Sequence, residues 1–209
     1  MKVAIISGAP NGWLDIHEIK ESFIIGVDRG ALSLIEHKVF PHLAIGDFDS
    51  VAESELQTIK GKSLECIQLP CEKNETDTEV ALNLALQKGA TEVSVYGSLG
   101  GRMDHSLANI RLLLQFVKKG LAVKLVDQTQ QITVLAPGHY DILASHLPYI
   151  SFFALDSTVM NLTLQRLKYP LINYELTLDD IRCISNEAIE SDFSVSFTDG
   201  YLLMIFSRD

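Results

Sequence analysis

Short apolar runs alternate with helical patterns through the first 128 residues, and this alternation constrains the fold more than any other feature of the sequence. The runs are rich in valine and isoleucine, and most are followed by glycine, proline or aspartate, as is typical of buried strands. Six runs predict strands, at 3–7, 23–27, 42–46, 64–69, 92–97 and 122–127. Alternation of this kind predicts an α/β domain in which helices cover a parallel sheet.

The segments between these strands carry helix signals. The clearest helix begins at Thr76, which lies three residues before Glu79 in the spacing of a capping box, and it ends at Gly89. A second helix follows Asp104, with apolar residues along one stripe and a glycine, Gly120, at its end.

After about residue 128 the helical patterns largely disappear. Short alternating strands separated by Gly, Pro, Asn and Asp predict a small all-β sandwich, and the last two strands are expected to form a hairpin that turns at Asp199–Gly200. The sequence therefore predicts an α/β domain over 1–128 and a β-sandwich over 129–209. Because the second domain is small, we expect it to pack on the first domain or on a second subunit.

The net charge and the cysteine content limit which binding partners and which cellular compartment we expect. With 17 basic and 27 acidic residues the formal charge is −10, which argues against binding to nucleic acid or to an anionic membrane. The apolar runs are too short to span a bilayer, and the first one is too short for a signal peptide. The three cysteines lack metal-ligand spacing and read as free thiols of a reducing compartment. We therefore expect a cytoplasmic protein.

Five aspartates lie where a predicted strand gives way to a loop or a helix. In an open parallel sheet the carboxyl ends of the strands form one rim, along which ligands bind. Two carboxylates about 4 Å apart repel each other by on the order of 4 kcal/mol at an effective dielectric near 20. A cluster there would need a cation, and Mg²⁺ that carries a polyphosphate suits it best. The five are Asp28, Asp47, Asp49, Asp77 and Asp104.

Three of these aspartates have both a metal-binding and a purely local interpretation. Asp47 and Asp49 are two apart, so an extended segment would project both carboxylates to one side and turn Phe48 into the core. The same residues also suit an Asx-turn. Asp77 starts a helix, where it could act only as a partner of the helix dipole. The charged loop before it, which contains Lys73, has the mixture of signs expected of a loop that handles phosphate.

The stretch GSLGGRMDH is the most specific single motif. Gly97, Gly100 and Gly101 follow a strand and precede a helix, where backbone N–H groups can approach phosphate oxygens. Arg102 adds a guanidinium that matches phosphate geometry, and Asp104 could cap the helix, accept from Arg102 or reach a metal. The order of residues is neither that of a P-loop nor that of a dinucleotide fingerprint.

Taken in order, GVDRGA, AIGDFDS, the TDTE helix start and GSLGGRMDH resemble the thiamine pyrophosphokinase family, and the resemblance continues through LQRLKYPL, ISNEA and DGYLLMIFS. It covers essentially the whole chain. It implies an α/β catalytic domain joined to a thiamine-binding β-sandwich, in a homodimer with the active site between subunits. The implied reaction transfers the diphosphate of ATP to the hydroxyl of thiamine and releases AMP.

The resemblance also implies residue roles. Asp47, Asp49 and Asp77 match the Mg²⁺ ligands of the family, and Arg102 and Asp104 match its nucleotide and phosphate contacts. These five are the expected catalytic residues. Either Asp49 or Asp77 is expected to accept the proton of the thiamine hydroxyl, although a metal-bound carboxylate is a poor base.

Four further residues are expected to bind ATP or thiamine. Asp28 is similar to an active-site acid of the family, and Lys73 lies in a loop that varies among its members. Ser185 and Asn186 resemble the turn that binds thiamine. The only tryptophan, Trp13, lies far from that turn, so the sequence does not indicate what stacks on the thiamine ring.

Three alternatives stay open on the sequence. A diphosphokinase that acts on another primary alcohol, such as a hydroxymethylpterin, could use the same α/β domain. A non-catalytic sensor of thiamine diphosphate or of nucleotide would bind without releasing AMP. In the third interpretation the aspartates serve only as caps.

Overall fold

The computed structural model describes residues 1–9 and 13–209. The chain divides into two compact units. The first comprises Met1–Leu112 and Lys119–Gln128, and the second comprises Leu113–Lys118 and Thr129–Asp209.

The first unit alternates strands and helices. Its strands are β1 (Lys2–Ile6), β2 (Phe23–Val27), β3 (Leu43–Gly46), β4 (Glu65–Gln68), β5 (Glu92–Tyr96) and β6 (Ala122–Val126). Its helices are α1 (Ile16–Ile19), α2 (Arg29–Glu36), α3 (Glu53–Lys62), α4 (Asp77–Gln87) and α5 (Met103–Val117), the last of which extends into the second unit. No helix in the described residues is long and apolar enough to cross a membrane.

The six strands of the first unit form a parallel sheet in the order β6-β5-β1-β2-β3-β4. The chain runs outward from β1 to the edge strand β4 and then returns to β5 on the other side of β1. The order therefore reverses between β1 and β5, and in open parallel sheets ligands bind at such a reversal, outside the carboxyl ends of the strands. The predicted parallel α/β architecture is confirmed.

The central strands are apolar because both of their faces are covered. All four residues of β3 are buried, as are four of the five residues of β1 and of β2. The helix cap predicted at Thr76 is present, since Thr76 Oγ1 accepts a hydrogen bond of 3.2 Å from Glu79 N at the start of α4. Thr76 therefore fixes where α4 begins.

The second unit is built from antiparallel strands. They are β7 (Gln130–Leu135), β8 (Gly138–Leu143), β9 (Tyr149–Ala154), β10 (Val159–Gln165), β11 (Leu171–Leu176), β12 (Asn186–Glu187), β13 (Asp192–Phe197) and β14 (Leu202–Ser207). One group is ordered β12-β9-β14-β7 and the other β11-β10-β13-β8. Apolar side chains from both groups share one core, in which the rings of Phe193 and Phe206 lie 6.0 Å apart. The predicted β-sandwich is confirmed.

The predicted hairpin at Asp199–Gly200 is wrong. β13 pairs with β8 and β10, whereas β14 pairs with β7 and β9, so the two strands lie in different sheets. Instead of closing a hairpin, Asp199 forms an isolated bridge with Met160, and Gly200 adopts a positive φ of 80° beside Thr158. Alternating strands on either side of an Asp-Gly pair fit a corner between sheets as well as a hairpin, because both need the same turn chemistry.

Candidate active site

Three of the five aspartates come together at the carboxyl rim of the parallel sheet. Asp28 follows β2, Asp47 follows β3, and Asp77 begins α4. One carboxylate oxygen from each lies within 4.8 Å of the other two, and all three residues are half-buried. Negative charge is therefore concentrated at one place on the rim, because the carboxyl ends of parallel strands lie along the same edge of the sheet.

The carboxylate of Asp28 is positioned by its own backbone conformation and by a hydrogen bond from the loop that follows β3. It adopts a φ of 47°, which is rare for a residue other than glycine, and its N–H donates to Ile45 O over 3.0 Å. Its Oδ1 accepts from Phe48 N at 3.1 Å. The carboxylate passes so close to Gly46 that a Cβ there would lie 1.8 Å from Oδ1. Gly46 is therefore required by close approach, since any side chain would displace Asp28.

The carboxyl of Asp28 is the most perturbed acid of the rim. Burial raises its pKa, and repulsion by Asp77 raises it further, to about 7. The hydrogen bond from Phe48 N opposes the rise, while the charges of Asp47 and Asp49 add to it. In the absence of a cation the cluster thus favours a proton on Asp28.

Lys73 supplies the positive charge closest to the other two carboxylates. Its Nζ lies 3.2 Å from Asp47 Oδ2 and 3.0 Å from Asp77 Oδ1, and it also donates to Pro70 O. Burial alone would raise the pKa of Asp47, but hydrogen bonds from Asp49 N–H and from Lys73 outweigh burial and hold that pKa below its usual range. Burial would likewise lower the pKa of Lys73, but its two carboxylate partners raise it.

One oxygen of the trio is buried beside a cation of the chain itself. Asp77 Oδ1 is fully buried, and the ammonium of Lys73 lies 3.0 Å from it. A buried carboxylate oxygen is costly unless a cation or a donor approaches it, and Lys73 serves as that cation here. Hard oxygens from three carboxylates suit Mg²⁺, which takes its remaining ligands from water and phosphate. The residues present therefore fit a divalent cation.

The expected extended geometry of Asp47 and Asp49 is wrong. Phe48 adopts a φ of 57°, so the segment turns, and Asp49 N–H donates to Asp47 Oδ1 over 3.1 Å in an Asx-turn. Phe48 does point into the core, as expected, and is 4% exposed. The turn leaves Asp49 exposed and outside the trio, in which Asp28 takes its place. As a metal ligand, Asp49 stays a prediction.

The glycine-rich loop takes the conformation that its composition favours. Gly97, Gly100 and Gly101 all have positive φ. Arg102 and Asp104 are exposed and pair with each other, with Nε donating to Oδ1 over 3.1 Å. That hydrogen bond from Arg102 lowers the pKa of Asp104. Their contacts with nucleotide and phosphate stay predictions.

The turn expected to bind thiamine lies in the second unit. Ser185 has a φ of 54°, and its N–H donates to Ser151 Oγ over 3.0 Å. Asn186 is buried and uses both ends of its amide on Tyr169: Oδ1 accepts from Tyr169 N at 3.0 Å, and Nδ2 donates to Tyr169 O at 2.8 Å. Asn186 therefore fixes the backbone at Tyr169. Contact of either residue with thiamine stays a prediction.

A cleft of about 450 Å³ beside β1 was not predicted from the sequence. Trp13 and Arg29 are among the residues that line it. Neither was predicted to contribute to a site, since Arg29 lies in the motif GVDRGA with no predicted role of its own and Trp13 belongs to no motif.

Comparison with known proteins agrees with this arrangement. Residues 17–125 match the family model "Thiamin pyrophosphokinase, catalytic domain", and residues 139–202 match "Thiamin pyrophosphokinase, vitamin B1 binding domain". The chain belongs to the thiamine pyrophosphokinase family. It is 38% identical to the thiamine pyrophosphokinase of Bacillus subtilis (strain 168), over 99% of each chain.

Solved structures of this family share the fold over their full length. The crystal structure of the Bacillus subtilis thiamine pyrophosphokinase superposes with a TM-score of 0.94 and covers 100% of both chains at 38% identity. A thiamin pyrophosphokinase family protein from Enterococcus faecalis superposes with a TM-score of 0.93 at 35% identity, again over 100% of both chains. Both units of the chain therefore have counterparts within the family.

The raised pKa of Asp28 predicts a specific pH dependence in protein freed of divalent cations. Between about pH 4 and pH 7 the folded state holds a proton on Asp28 that the unfolded state has lost, so the free energy of unfolding falls as the pH rises through this window. Asp28→Asn removes this term, and the variant should gain stability relative to the wild type across the same window. Urea unfolding with chelator present measures it.

Asp49→Asn is the matched control for this experiment, because Asp49 is a neighbouring but exposed carboxylate. Its stability profile should differ from that of the wild type far less than that of Asp28→Asn, because the charge of Asp49 is the smallest of the named contributions to the raised pKa of Asp28. Parallel profiles for Asp28→Asn would contradict the assignment.

Proposed function

We propose that the protein is an ATP-dependent thiamine diphosphokinase, which transfers the diphosphate of ATP to the hydroxyl of thiamine and releases AMP. Membership of the family supports the reaction type. The observation that carries the proposal is the carboxylate trio, because it lies at the ligand-binding rim of the unit that matches the catalytic domain.

Mg²⁺ is the proposed metal, and Asp28, Asp47 and Asp77 are the residues that would hold it. When bound, it would neutralise charge on the phosphates of ATP. Asp49, the third ligand expected from the family resemblance, lies outside the trio and faces solvent. Its carboxylate adds negative charge next to the site, since it contributes to the raised pKa of Asp28.

The chain's own groups position the reactants. Lys73 bridges Asp47 and Asp77 and also donates to Pro70 O, so it would exchange one of these contacts to donate to a phosphate oxygen beside the trio. Arg102 is exposed at the end of the glycine-rich loop and can leave Asp104 for a stronger anion. Diphosphate transfer asks for in-line placement of the attacking oxygen more than for covalent chemistry, so positioned cations suit it.

Of the two carboxylates expected to accept the thiamine proton, the geometry favours Asp49. Asp77 belongs to the trio, and a carboxylate bound to a metal is a poor base. Asp49 is exposed, with its backbone fixed by the turn onto Asp47. This role is an alternative to its expected role as a metal ligand.

We further propose that thiamine contacts the turn at Ser185 and Asn186 and that the protein is a cytoplasmic homodimer whose active site lies between subunits. Exposed apolar side chains of the second unit support the proposal of a dimer, because a partner subunit would remove them from water. They include Tyr169, Ile172, Leu178, Ile181 and Ile189.

Production of AMP from ATP and thiamine tests the proposed reaction. With Mg²⁺ we expect one AMP and one thiamine diphosphate per turnover, and with chelator we expect neither. A hydroxymethylpterin serves as the competing acceptor. Turnover of the pterin without turnover of thiamine would contradict the proposal, and binding of both substrates without AMP release would favour a sensor.

Asp47→Asn separates a metal ligand from a cap. An asparagine keeps the Asx-turn that accepts from Asp49 N–H but removes the charge and with it the ion pair with Lys73, so we expect kcat to fall by at least about a hundredfold in protein that circular dichroism shows to be folded. Asp15→Asn is the matched control, because Asp15 Oδ1 accepts from His17 N–H in the same i, i+2 geometry outside the trio. Near-normal activity of Asp47→Asn would overturn the metal assignment.

A further inference from the structure

The side chain of Lys73 points inward from a loop whose neighbouring residues are exposed. This loop, at 69–76, joins β4 to α4. The side chain of Lys73 is only 12% exposed. The residues on either side of it face solvent, namely Cys71, Glu72, Asn74 and Glu75. A lysine is rarely buried unless its ammonium is paired. The position of Lys73 therefore depends on its partners more than on packing within the loop.

The ammonium of Lys73 is surrounded by acceptors of the chain itself. Its Nζ lies 3.2 Å from Asp47 Oδ2 and 3.0 Å from Asp77 Oδ1, and it donates to Pro70 O over 3.3 Å. An ammonium has three donors and no acceptor. Lys73 can therefore donate to a ligand only after it gives up one of these partners.

A metal bound by the trio needs the oxygens beside which Lys73 lies. One oxygen from each of Asp28, Asp47 and Asp77 lies within 4.8 Å of the other two. Asp47 Oδ1 accepts from Asp49 N–H, which leaves Oδ2, beside Lys73, as the oxygen better placed to bind a metal. Mg²⁺ bonds to carboxylate oxygens at about 2 Å, and an ammonium on the same oxygens would repel it. Lys73 and a divalent cation therefore compete for Asp47 and Asp77.

We propose that Lys73 exchanges with the divalent cation of the reaction. Lys73 neutralises Asp47 and Asp77 until the cation binds, and it then leaves their oxygens and donates to the phosphates that the cation carries. This inference rests on the proposed diphosphokinase function and adds a coupling between its metal and its nucleotide. Lys73 suits the exchange because its flexible side chain is attached to a loop, whereas the carboxylates are placed by strand and helix ends.

The exchange makes metal binding depend on nucleotide. A free cation would displace the ammonium into water, whereas a cation that arrives with ATP brings phosphate oxygens to which Lys73 can donate. The second route keeps Lys73 paired and is therefore the more favourable one. By thermodynamic linkage, nucleotide then raises the affinity of the trio for the cation, and the cation raises the affinity for nucleotide by the same factor. The trio is therefore selective for the metal–nucleotide complex over the free metal.

Acetylation of individual lysines in the wild-type protein, read by mass spectrometry, measures the release of Lys73 directly. With chelator present, Lys73 should react about tenfold more slowly than the exposed Lys60, because it is ion-paired and largely buried. Mg²⁺ should raise the rate at Lys73 severalfold and leave the rate at Lys60 unchanged. An ATP analogue with a methylene group between the α- and β-phosphorus atoms should then lower it again. A rate at Lys73 that Mg²⁺ leaves unchanged or lowers would overturn the proposal.

Lys73→Met gives an independent test, because it removes the ammonium and keeps the apolar stem. Without nucleotide, this variant should bind Mn²⁺ at least about tenfold more tightly than the wild type, as measured by the electron paramagnetic resonance of free Mn²⁺. Lys73→Arg keeps the charge and should bind Mn²⁺ no more tightly than the wild type. Lys60→Met is the matched control, since Lys60 lies in the same unit and donates to Gln68.

Equal or weaker Mn²⁺ affinity in folded Lys73→Met than in the wild type would contradict the exchange. If the variant does not fold, because Asp77 loses its cation, the acetylation of the wild type decides. The outcome is separable from that of the proposed reaction. A wild-type enzyme that releases AMP from ATP and thiamine, but whose Lys73 does not respond to Mg²⁺, keeps the diphosphokinase function and excludes the exchange.

Discussion

The neutralisation of three converging carboxylates is the constraint on which the rest of the site depends. Asp28, Asp47 and Asp77 share one small volume at the rim, and Lys73 reaches only two of them. The balance is incomplete, as the raised pKa of Asp28 indicates. A divalent cation would complete it, and the phosphates of ATP would then be attracted to a place that is otherwise strongly acidic.

The backbone maintains this unfavourable arrangement. Asp28 and Phe48 both adopt positive φ, and a hydrogen bond links the Asp28 carboxylate to Phe48 N. Gly46 leaves room for that carboxylate, and the burial of Phe48 anchors the turn in the core. Strained backbone of this kind persists only where the surrounding structure determines it, and it is concentrated at functional sites. Here it places Asp28 beside Asp47.

Sequence patterns predicted the two architectures because hydrophobic periodicity and helix caps act locally. They also identified the aspartates, since a parallel sheet must bring its strand ends to one rim. They could not predict which aspartates meet. The i, i+2 spacing predicted that the carboxylates of Asp47 and Asp49 lie together. The positive φ of Phe48 turns Asp49 away, and Asp28 lies beside Asp47 instead. The cleft at Trp13 was not predicted, because the residues that line it come from segments far apart in the chain.

The most direct test of metal binding by the three carboxylates is to locate a divalent cation in crystals of the protein grown with Mn²⁺ in place of Mg²⁺. We expect an anomalous-scattering peak at bonding distance, about 2 Å, from carboxylate oxygens of Asp28, Asp47 and Asp77. Crystals of Asp47→Asn grown in the same way should lose this peak. A wild-type crystal with Mn²⁺ bound elsewhere and no peak at the trio would show that the three carboxylates are not the metal site.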